Sequence, residues 1–286
     1  MVKPTFLEEF IKKNLKKGKP KIGFGLLKED GEILASLRKV KNLADIVLVG
    51  PKRISKIKGF KKIISDNPEK KLAEILVKSE VDGIIRGTID DFKTYGAYRE
   101  MVGKNKTKEM VNLILLADVK GRQFYLSEAS NPSGWTREEK INSCERILHF
   151  MNGELKMKPK IGCITGIRHG THKRRRKIKK WPQSYLNETY RDAEIIVKYF
   201  RRKGVVAKNY AIELSTAIED GCNIIIPPNG MVGNQIFRVL CLSGGGKVII
   251  GPRINLPHVY EDNSRNEKDY SYHLKWVVAW ANSRKK

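Results

Sequence analysis

The sequence has few acidic residues for its number of basic ones. Against 57 Lys and Arg it holds only 31 Asp and Glu, which gives a formal net charge of +26 at pH 7. An excess of this size raises the positive potential over the surface. It favours nucleic acid, phosphate-bearing cofactors or acidic proteins over cationic ligands. Charge alone does not choose among these anionic partners.

Cysteine is scarce as well, with four residues in a chain of 286. Cys144, Cys163, Cys222 and Cys241 lie far apart, and neither a CxxC pair nor a Cys/His set with metal-ligand spacing occurs. These spacings argue against a disulfide framework and against a zinc site. We expect all four thiols to be buried and reduced, and we expect no metal cofactor.

Long apolar runs are missing, since none approaches the roughly 18 residues that cross a bilayer. The first residues lead into a polar amphipathic stretch, unlike a secretory signal. We therefore expect a cytoplasmic protein with no membrane partner. No internal repeat of about 20 to 50 residues is visible, which argues against solenoids and propellers.

Short β-branched runs alternate with longer amphipathic stretches over most of the chain. This alternation is typical of βαβ units and predicts an α/β protein with mostly parallel sheets. The predicted strands are 21–27, 45–49, 83–86, 113–117, 160–165, 223–226 and 247–250. The predicted helices are 29–41, 68–79, 136–151, 186–203, 232–242 and an aromatic-rich terminal helix over 270–283. A polar link with glycine at 118–122 predicts a hairpin, and a turn-rich basic stretch at 151–159 predicts a domain boundary.

Three glycine-containing loops each follow a predicted strand, where parallel sheets place their ligands. The first offers a cation, a bare backbone amide and a hydroxyl in Arg86, Gly87 and Thr88, all suited to a phosphate or carboxylate. The second opens a helix with Gly233 and Asn234, and helix N-termini favour anions. An ordinary strand-to-helix turn with Asn234 near a cap is the alternative for this loop.

The third loop combines Arg253, after the last predicted strand, with a Ser264-Arg265 pair further along. Arginine donates to two oxygens at once and serine donates a hydroxyl, so the three side chains suit one shared anion. A solvated loop with Ser264 as a helix cap is the alternative.

In order and composition the three loops resemble the phosphate acetyltransferase and phosphate butyryltransferase superfamily. Its loops read A-D-x-x-x-S-G-A, F-P-D-x-x-x-G-N and G-P…P-x-x-D-L-S-R-G. The matching residues here are Asp82, Gly87, Pro228, Gly233, Asn234, Gly251, Pro252, Pro257, Asp262, Ser264 and Arg265. The departures are Arg86, Thr88, Asn229, Asn263 and Asn266.

This resemblance implies a two-domain α/β fold of the phosphotransacetylase type, like that of isocitrate and isopropylmalate dehydrogenases, with a cleft between the domains. It implies a first domain at 1–152, completed by 256–286, and a second domain at 153–255. The implied ligand is an anionic small molecule, either coenzyme A or another phosphorylated coenzyme. The implied catalytic groups at the phosphate are Ser264 and Arg265, with Gly87, Thr88 and Asn234 lining the cleft.

The superfamily places a basic aspartate seven residues after its serine, and this chain has Ser271 there. Asp269 is the nearest carboxylate that would replace it. Thiol deprotonation needs a base within hydrogen-bond reach, so this departure bears directly on acyl transfer.

The stretches 82–87 and 126–132 resemble a branch of the superfamily from methanogenic archaea, the methanogenesis marker protein 4 or Mtx subunit X family. Its members are named as methyltransferase subunits. The resemblance implies a transferase or transferase subunit in methanogen metabolism, with methyltransferase subunits as partners. A phosphate acyltransferase and a non-catalytic partner protein stay open as alternatives, as does assembly into a homodimer.

A basic run at 168–180 stands apart from these loops. Its eight Lys or Arg are Arg168, Lys173, Arg174, Arg175, Arg176, Lys177, Lys179 and Lys180. Clustered cations bind polyanions through counterion release. The run therefore suits an anionic cofactor tail, an acidic protein or, as the less favoured partner, RNA; a mobile, solvated loop is the alternative.

Overall fold

A computed structural model describes residues 6–128, 133–263 and 267–285 and confirms an α/β protein. Its strands are β1 Lys21–Gly25, β2 Asp45–Gly50, β3 Lys61–Ile64, β4 Gly83–Ile85, β5 Val111–Asn112, β6 Ile114–Ala117, β7 Gln123–Leu126, β8 Lys160–Cys163, β9 Val206–Asn209, β10 Ile224–Ile226, β11 Lys247–Ile250, β12 Arg253–Ile254 and β13 Val259–Glu261. Its helices are α1 Phe6–Leu15, α2 Gly31–Lys39, α3 Pro68–Val77, α4 Asp91–Val102, α5 Lys104–Thr107, α6 Arg137–Phe150, α7 His169–Arg175, α8 Gln183–Arg202, α9 Leu214–Glu219, α10 Gly230–Arg238 and α11 Ser271–Arg284.

Residue contacts divide the chain into two units, Met1–Asn112 with Ile250–Lys286, and Leu113–Ile249. The domain bounds implied by the resemblance put residues 113–152 in the first domain and 250–255 in the second, whereas residue contacts group 113–152 with the second unit and 250–255 with the first. The reason is strand pairing, because β6 and β7 form a hairpin and β7 then pairs with β10.

The first unit is built on a five-stranded sheet of order β13-β4-β1-β2-β3, with every pair parallel. The central strands are apolar on both faces, as expected where helices cover both sides of a parallel sheet. Ile22 and Phe24 of β1 and Ile84 of β4 are fully buried. A short antiparallel pair, β12 with β5, lies outside this sheet.

The terminal helix α11 packs on the first unit through its tryptophans, as the sequence predicts. Trp276 and Trp280 are fully buried, and the Trp276 ring lies 5.7 Å from that of Phe10 in α1. Burial of two indoles supplies a large apolar area, which anchors the helix to the core.

The second unit carries a six-stranded sheet of order β11-β6-β7-β10-β8-β9. The predicted hairpin is confirmed, since β6 and β7 are antiparallel with Ile114 opposite Leu126. The Asp118 carboxylate closes its turn by accepting from the backbone amides of Lys120 and Arg122 at 2.9 Å. The remaining neighbours β7, β10, β8 and β9 run parallel, so their carboxyl ends share one edge.

The four cysteines are free. Cys144, Cys163 and Cys222 are buried as expected, whereas Cys241 is only half-buried. Of the helices in the described residues, none has both the length and the apolar character that a bilayer span requires.

Candidate functional site

The carboxyl ends of β4 and β13 form one edge of the first unit's sheet. The two strands are parallel neighbours, with Ile84 opposite Tyr260 and Ile85 opposite Glu261. The amide of Arg86 continues the pairing by donating to the Glu261 carbonyl at 3.0 Å. The loops that leave these two strands therefore start side by side, and this brings the first and third predicted loops together.

Two buried arginines meet one carboxylate at this edge. Arg86 Nε donates to Asp262 Oδ1 at 2.5 Å, and Arg253 Nη2 donates to Asp262 Oδ2 at 2.9 Å. Arg253 also pairs with Asp91 at the start of α4. The exposed fractions of the Arg86, Arg253 and Asp262 side chains are only 5, 6 and 8%.

The charges of this set cancel, because two guanidinium groups face two carboxyl groups. Burial acts against the charged form of Arg253, yet the Asp262 and Asp91 carboxylates raise the pKa of its guanidinium. Burial raises the pKa of Asp91, and the Asp262 carboxylate raises it further. Arg86 and Arg253 were predicted as phosphate ligands, and the structure places both in contact with internal carboxylates.

Arg253 is also covered by aromatic rings. Its guanidinium carbon lies 4.2 Å from the centroid of the Tyr95 ring and 5.4 Å from that of Tyr260. Such stacking suits the planar guanidinium and keeps it in one position. Arg86 is fixed differently, by donating to the Gly87 carbonyl at 3.1 Å and to the Ile89 carbonyl at 2.9 Å.

Gly87 and Thr88 tie the loop after β4 to the end of β1. Gly87 has a φ of +64°, and a Cβ at this position would lie 2.0 Å from the Gly25 carbonyl oxygen. The Thr88 amide donates to the same oxygen at 3.0 Å. Its hydroxyl accepts from the Leu27 amide at 2.9 Å. Both residues thus have a structural role in addition to the ligand role predicted for them.

Several polar atoms buried at this edge have no hydrogen-bond partner among the described residues. They are Arg253 Nε, Tyr260 Oη and both side-chain polar atoms of Asn263. Buried polar groups are nearly always paired with protein, water or ligand. The set contains both donors and an acceptor, so it can pair with water or with uncharged polar groups of a ligand, such as an amide or a hydroxyl.

The predicted catalytic pair Ser264 and Arg265 follows Asn263 in sequence and lies outside the described residues. Asp269 is described, and its Oδ1 accepts from the Ser271 amide at 2.9 Å at the start of α11. Hydrogen bonds from Ser271 lower the pKa of Asp269. The carboxylate is thereby stabilised in its ionised form beside the first residue of α11.

In the second unit, the loop after β10 opens α10. Asn229 caps the helix, because its Oδ1 accepts from the Val232 amide at 2.9 Å while its Nδ2 donates to Tyr185 Oη at 2.6 Å. A Cβ on Gly233 would lie 1.6 Å from the Glu128 carbonyl oxygen, so only glycine lets α10 pass this backbone. Asn234 accepts from Arg238 Nε at 3.2 Å. The capping residue is therefore Asn229, and the cap alternative weighed for Asn234 is wrong.

Two buried charged residues near the carboxyl ends of β7 and β10 in the second unit, Lys140 and Glu128, were not predicted as site residues from the sequence. Lys140 on α6 donates to Asp192 Oδ2 at 3.1 Å and to the Pro228 carbonyl at 3.2 Å, so it holds the loop after β10 against α8. Glu128 follows β7, and burial raises its pKa. A Lys at an inward position of an amphipathic helix is the one sequence signal that would have indicated the first of them.

The basic run lies on the second unit and is partly helical. Arg168 precedes α7, Lys173, Arg174 and Arg175 lie in it, and Arg176 and Lys177 follow in a turn. All of these side chains are exposed. Among residues 6–128, 133–263 and 267–285, no group of three or more His, Cys, Asp or Glu could hold a metal ion.

Comparison with known proteins identifies relatives along nearly the whole chain. No family model matches. The chain is 30% identical over 263 residues to "Putative methyltransferase mtx subunit X" of Methanosarcina mazei, covering 91% of this chain and 89% of the relative. It is 30% identical over 253 residues to the protein of the same name from Methanosarcina barkeri, covering 86% and 87%.

Among solved structures, a phosphotransacetylase from Streptococcus pyogenes superimposes with a TM-score of 0.68 at 12% identity and covers all of both chains. At this identity the likeness concerns the fold alone, which confirms the phosphotransacetylase-like fold predicted from the sequence. The two Methanosarcina proteins are more similar in sequence, and from them we conclude that the chain belongs to the methyltransferase mtx subunit X family.

Proposed function

We propose that this chain is a subunit of a methyltransferase and that it binds a phosphate-bearing or coenzyme-like ligand at the carboxyl edge of β4 and β13. The names of its relatives support the first part. The observation that carries the second part is the Asp262 carboxylate, which receives one guanidinium on each oxygen where two parallel strands end. Carboxyl edges of parallel sheets are where α/β proteins bind ligands.

The arginines at this edge have different roles, depending on whether a carboxylate already pairs with them. Arg86 and Arg253 are positioning residues, because Asp262 and Asp91 already neutralise them. They hold Asp262 between them. We therefore assign the ligand's negative charge to Arg265, in keeping with the catalytic pair predicted from the sequence.

Thermal shift measurements on the full chain test the ligand part. Coenzyme A, inorganic phosphate and tetrahydromethanopterin are added separately, because a ligand that binds only the folded state raises the Tm. A ligand present at a free concentration of about 100 times its Kd would raise the free energy of unfolding by about 2.7 kcal/mol. We expect at least one of the three to raise the Tm, with a smaller rise in Arg265→Gln.

Arg202→Gln is the matched control, since Arg202 is an exposed arginine at the end of α8 in the other unit. The control should keep the ligand-induced rise in Tm. Absence of any rise with all three ligands would contradict the ligand site, and equal losses in the two variants would contradict the role of Arg265.

Affinity capture tests the subunit part. The tagged full chain is incubated with methanogen lysate, and bound proteins are identified by mass spectrometry. We expect methyltransferase subunits to be enriched over capture with an unrelated tagged protein of similar charge. If no methyltransferase subunit is enriched over the control capture, assembly into a methyltransferase is contradicted.

Phosphate acyl transfer is the second candidate, and the fold is the observation that favours it. The Asp269 carboxylate argues against it, because hydrogen bonds from Ser271 lower its pKa and make it a weak base for a thiol. We expect no exchange of acetyl or butyryl groups between coenzyme A and phosphate. Turnover in this assay, abolished by Asp269→Asn, would replace the methyltransferase assignment.

A further inference from the structure

A strongly basic surface in the second unit has no part in the proposed ligand site. It consists of α7 and the turn that follows, and we call residues 168–181 the basic segment. Of the eight residues 173–180, all but Ile178 are Lys or Arg. Each of these seven side chains is exposed, and none forms an ion pair with a residue of the described chain.

The basic segment is held in place by the fully buried Asn187 of α8. Asn187 Nδ2 donates to the Arg175 carbonyl at 3.0 Å and to the Ile178 carbonyl at 3.3 Å. His172 Nδ1 lies 3.1 Å from its Oδ1. The His172 ring also stacks on Tyr190, with centroids 3.9 Å apart and planes 11° from parallel. These bonds fix the backbone of the segment, so the cations are presented on an ordered support and not on a loose loop.

An exposed aromatic ring ends the basic segment. Trp181 is 77% exposed, directly after Lys179 and Lys180. A tryptophan exposed to this degree forgoes most of the stabilisation that burial of its ring would give. Cations followed by an accessible aromatic face are the combination with which proteins bind single-stranded nucleic acid, because bases stack on the ring while phosphates meet the cations.

The basic segment carries its cations densely. Lys173, Arg174 and Arg175 lie in α7, and the other four cations lie in the turn and the irregular stretch that follow. A nucleic-acid strand carries a phosphate about every 3.4 Å, so several phosphates can contact such a cluster at once.

From the charge row, its ordered support and Trp181 we propose that the basic segment binds single-stranded RNA, with phosphates on the cations and a base stacked on Trp181. RNA is the partner because proteins recognise RNA mainly through unstacked bases, which this arrangement accepts.

Fluorescence anisotropy of the full chain with a fluorescein-labelled RNA of about 12 nucleotides measures the binding. The test variant carries Arg174→Gln, Arg175→Gln, Arg176→Gln and Lys177→Gln. The control carries Lys12→Gln, Lys13→Gln, Lys16→Gln and Lys17→Gln, which removes as many exposed charges from and just beyond α1. We expect at least a tenfold weaker affinity in the test variant and less than about a threefold change in the control.

The salt dependence separates direct phosphate contacts from general charge. For single strands, log K falls against log salt with a slope of about −0.7 per neutralised phosphate, so loss of four contacts makes the slope shallower by about 3. The control should keep the wild-type slope. Equal losses of affinity in the two variants would overturn the proposal, since they would show attraction by net charge only.

Trp181→Ala and Trp135→Ala form a second matched pair, because Trp135 is also exposed and lies in the same unit. Stacking is worth roughly fivefold to a hundredfold in affinity per base, so Trp181→Ala should lose that factor and Trp135→Ala should not. RNA should quench tryptophan fluorescence in wild type and not in Trp181→Phe. Tighter binding of duplex RNA, of DNA of the same sequence or of polyglutamate would overturn the assignment to single-stranded RNA.

Discussion

Replacing Asp262 by Asn removes the charge that joins the two buried arginines while keeping the size of the side chain. The amide retains one acceptor oxygen and turns its NH₂ group toward a guanidinium. Arg86 then has only the carbonyls of Gly87 and Ile89 as partners, whereas Arg253 keeps Asp91. The variant therefore leaves one buried guanidinium without a counter-charge.

The expected loss of stability follows from this burial. Removing one partner of a buried ion pair costs about 3 to 5 kcal/mol, because the remaining charge can neither pair nor regain its water. Since Arg253 keeps Asp91, we expect the lower end, about 3 kcal/mol. Asp91→Asn is the matched control. There both arginines keep Asp262, and the Asp91 side chain is 37% exposed, so the loss should stay near 1 kcal/mol or below.

Urea unfolding followed by tryptophan fluorescence provides the measurement. The chain has four tryptophans, and a Trp135→Phe, Trp181→Phe background leaves Trp276 and Trp280, which are buried in the first unit. The signal then reports the unit that contains Asp262. Equal midpoints for Asp262→Asn and Asp91→Asn, or a loss below about 1 kcal/mol in the former, would refute the assignment of Asp262 as the shared counter-charge.

Three further predictions concern pH, packing and thiol reactivity. Burial alone would lower the pKa of His273, but hydrogen bonds to Glu261 and Glu267 raise it to about 9. Protonated His273 therefore stabilises the folded state by on the order of 3 kcal/mol. This stabilisation is fully present below about pH 6.5 and is lost as the pH rises through about 9. The difference between the urea unfolding midpoints at about pH 6 and about pH 9.5 should be smaller in His273→Gln than in the wild type. Gly233→Ala should destabilise by about 1 to 3 kcal/mol because its Cβ would meet the Glu128 backbone, whereas Gly96→Ala in α4, where the Cβ meets nothing within 4 Å, should be neutral or stabilising in the same assay. Native-state titration with a thiol reagent should modify only the half-buried Cys241, slowly because burial raises its pKa to about 11; prompt reaction of two or more thiols would contradict the burial of the other three.

Local patterns predicted most of the fold correctly. The alternation of apolar runs and amphipathic stretches identified β1, β2, β4, β6, β8, β10 and β11, and the link at 118–122 identified the hairpin. Strands β3 and β9, which read KKII and VAKN, were missed because polar residues leave each with a very short apolar run. β13 was missed because its residues, Val259–Glu261, lie within the stretch that was interpreted as the third loop.

The candidate site was predicted less completely. The glycine loops were found because strand ends and glycines are visible in sequence, and the structure brings two of the three together at the edge of β4 and β13. Asp262 was identified only as a match to the third superfamily loop, and Asp91 was not singled out. Their roles as counter-charges to Arg86 and Arg253 depend on the fold, which no local pattern reports.

Composition and periodicity alone determined the strong basic excess, the α/β class, the position of the basic segment and the placement of glycine loops after strands. All of these depend on residues that are neighbours in sequence. The tertiary structure alone decided which charges meet, because Arg86 and Asp262 lie 176 residues apart and come together only where β13 pairs with β4. It also decided that Asn187 holds the basic segment against α8, since a buried amide acquires its partners only when the chain folds back and packs on the helix.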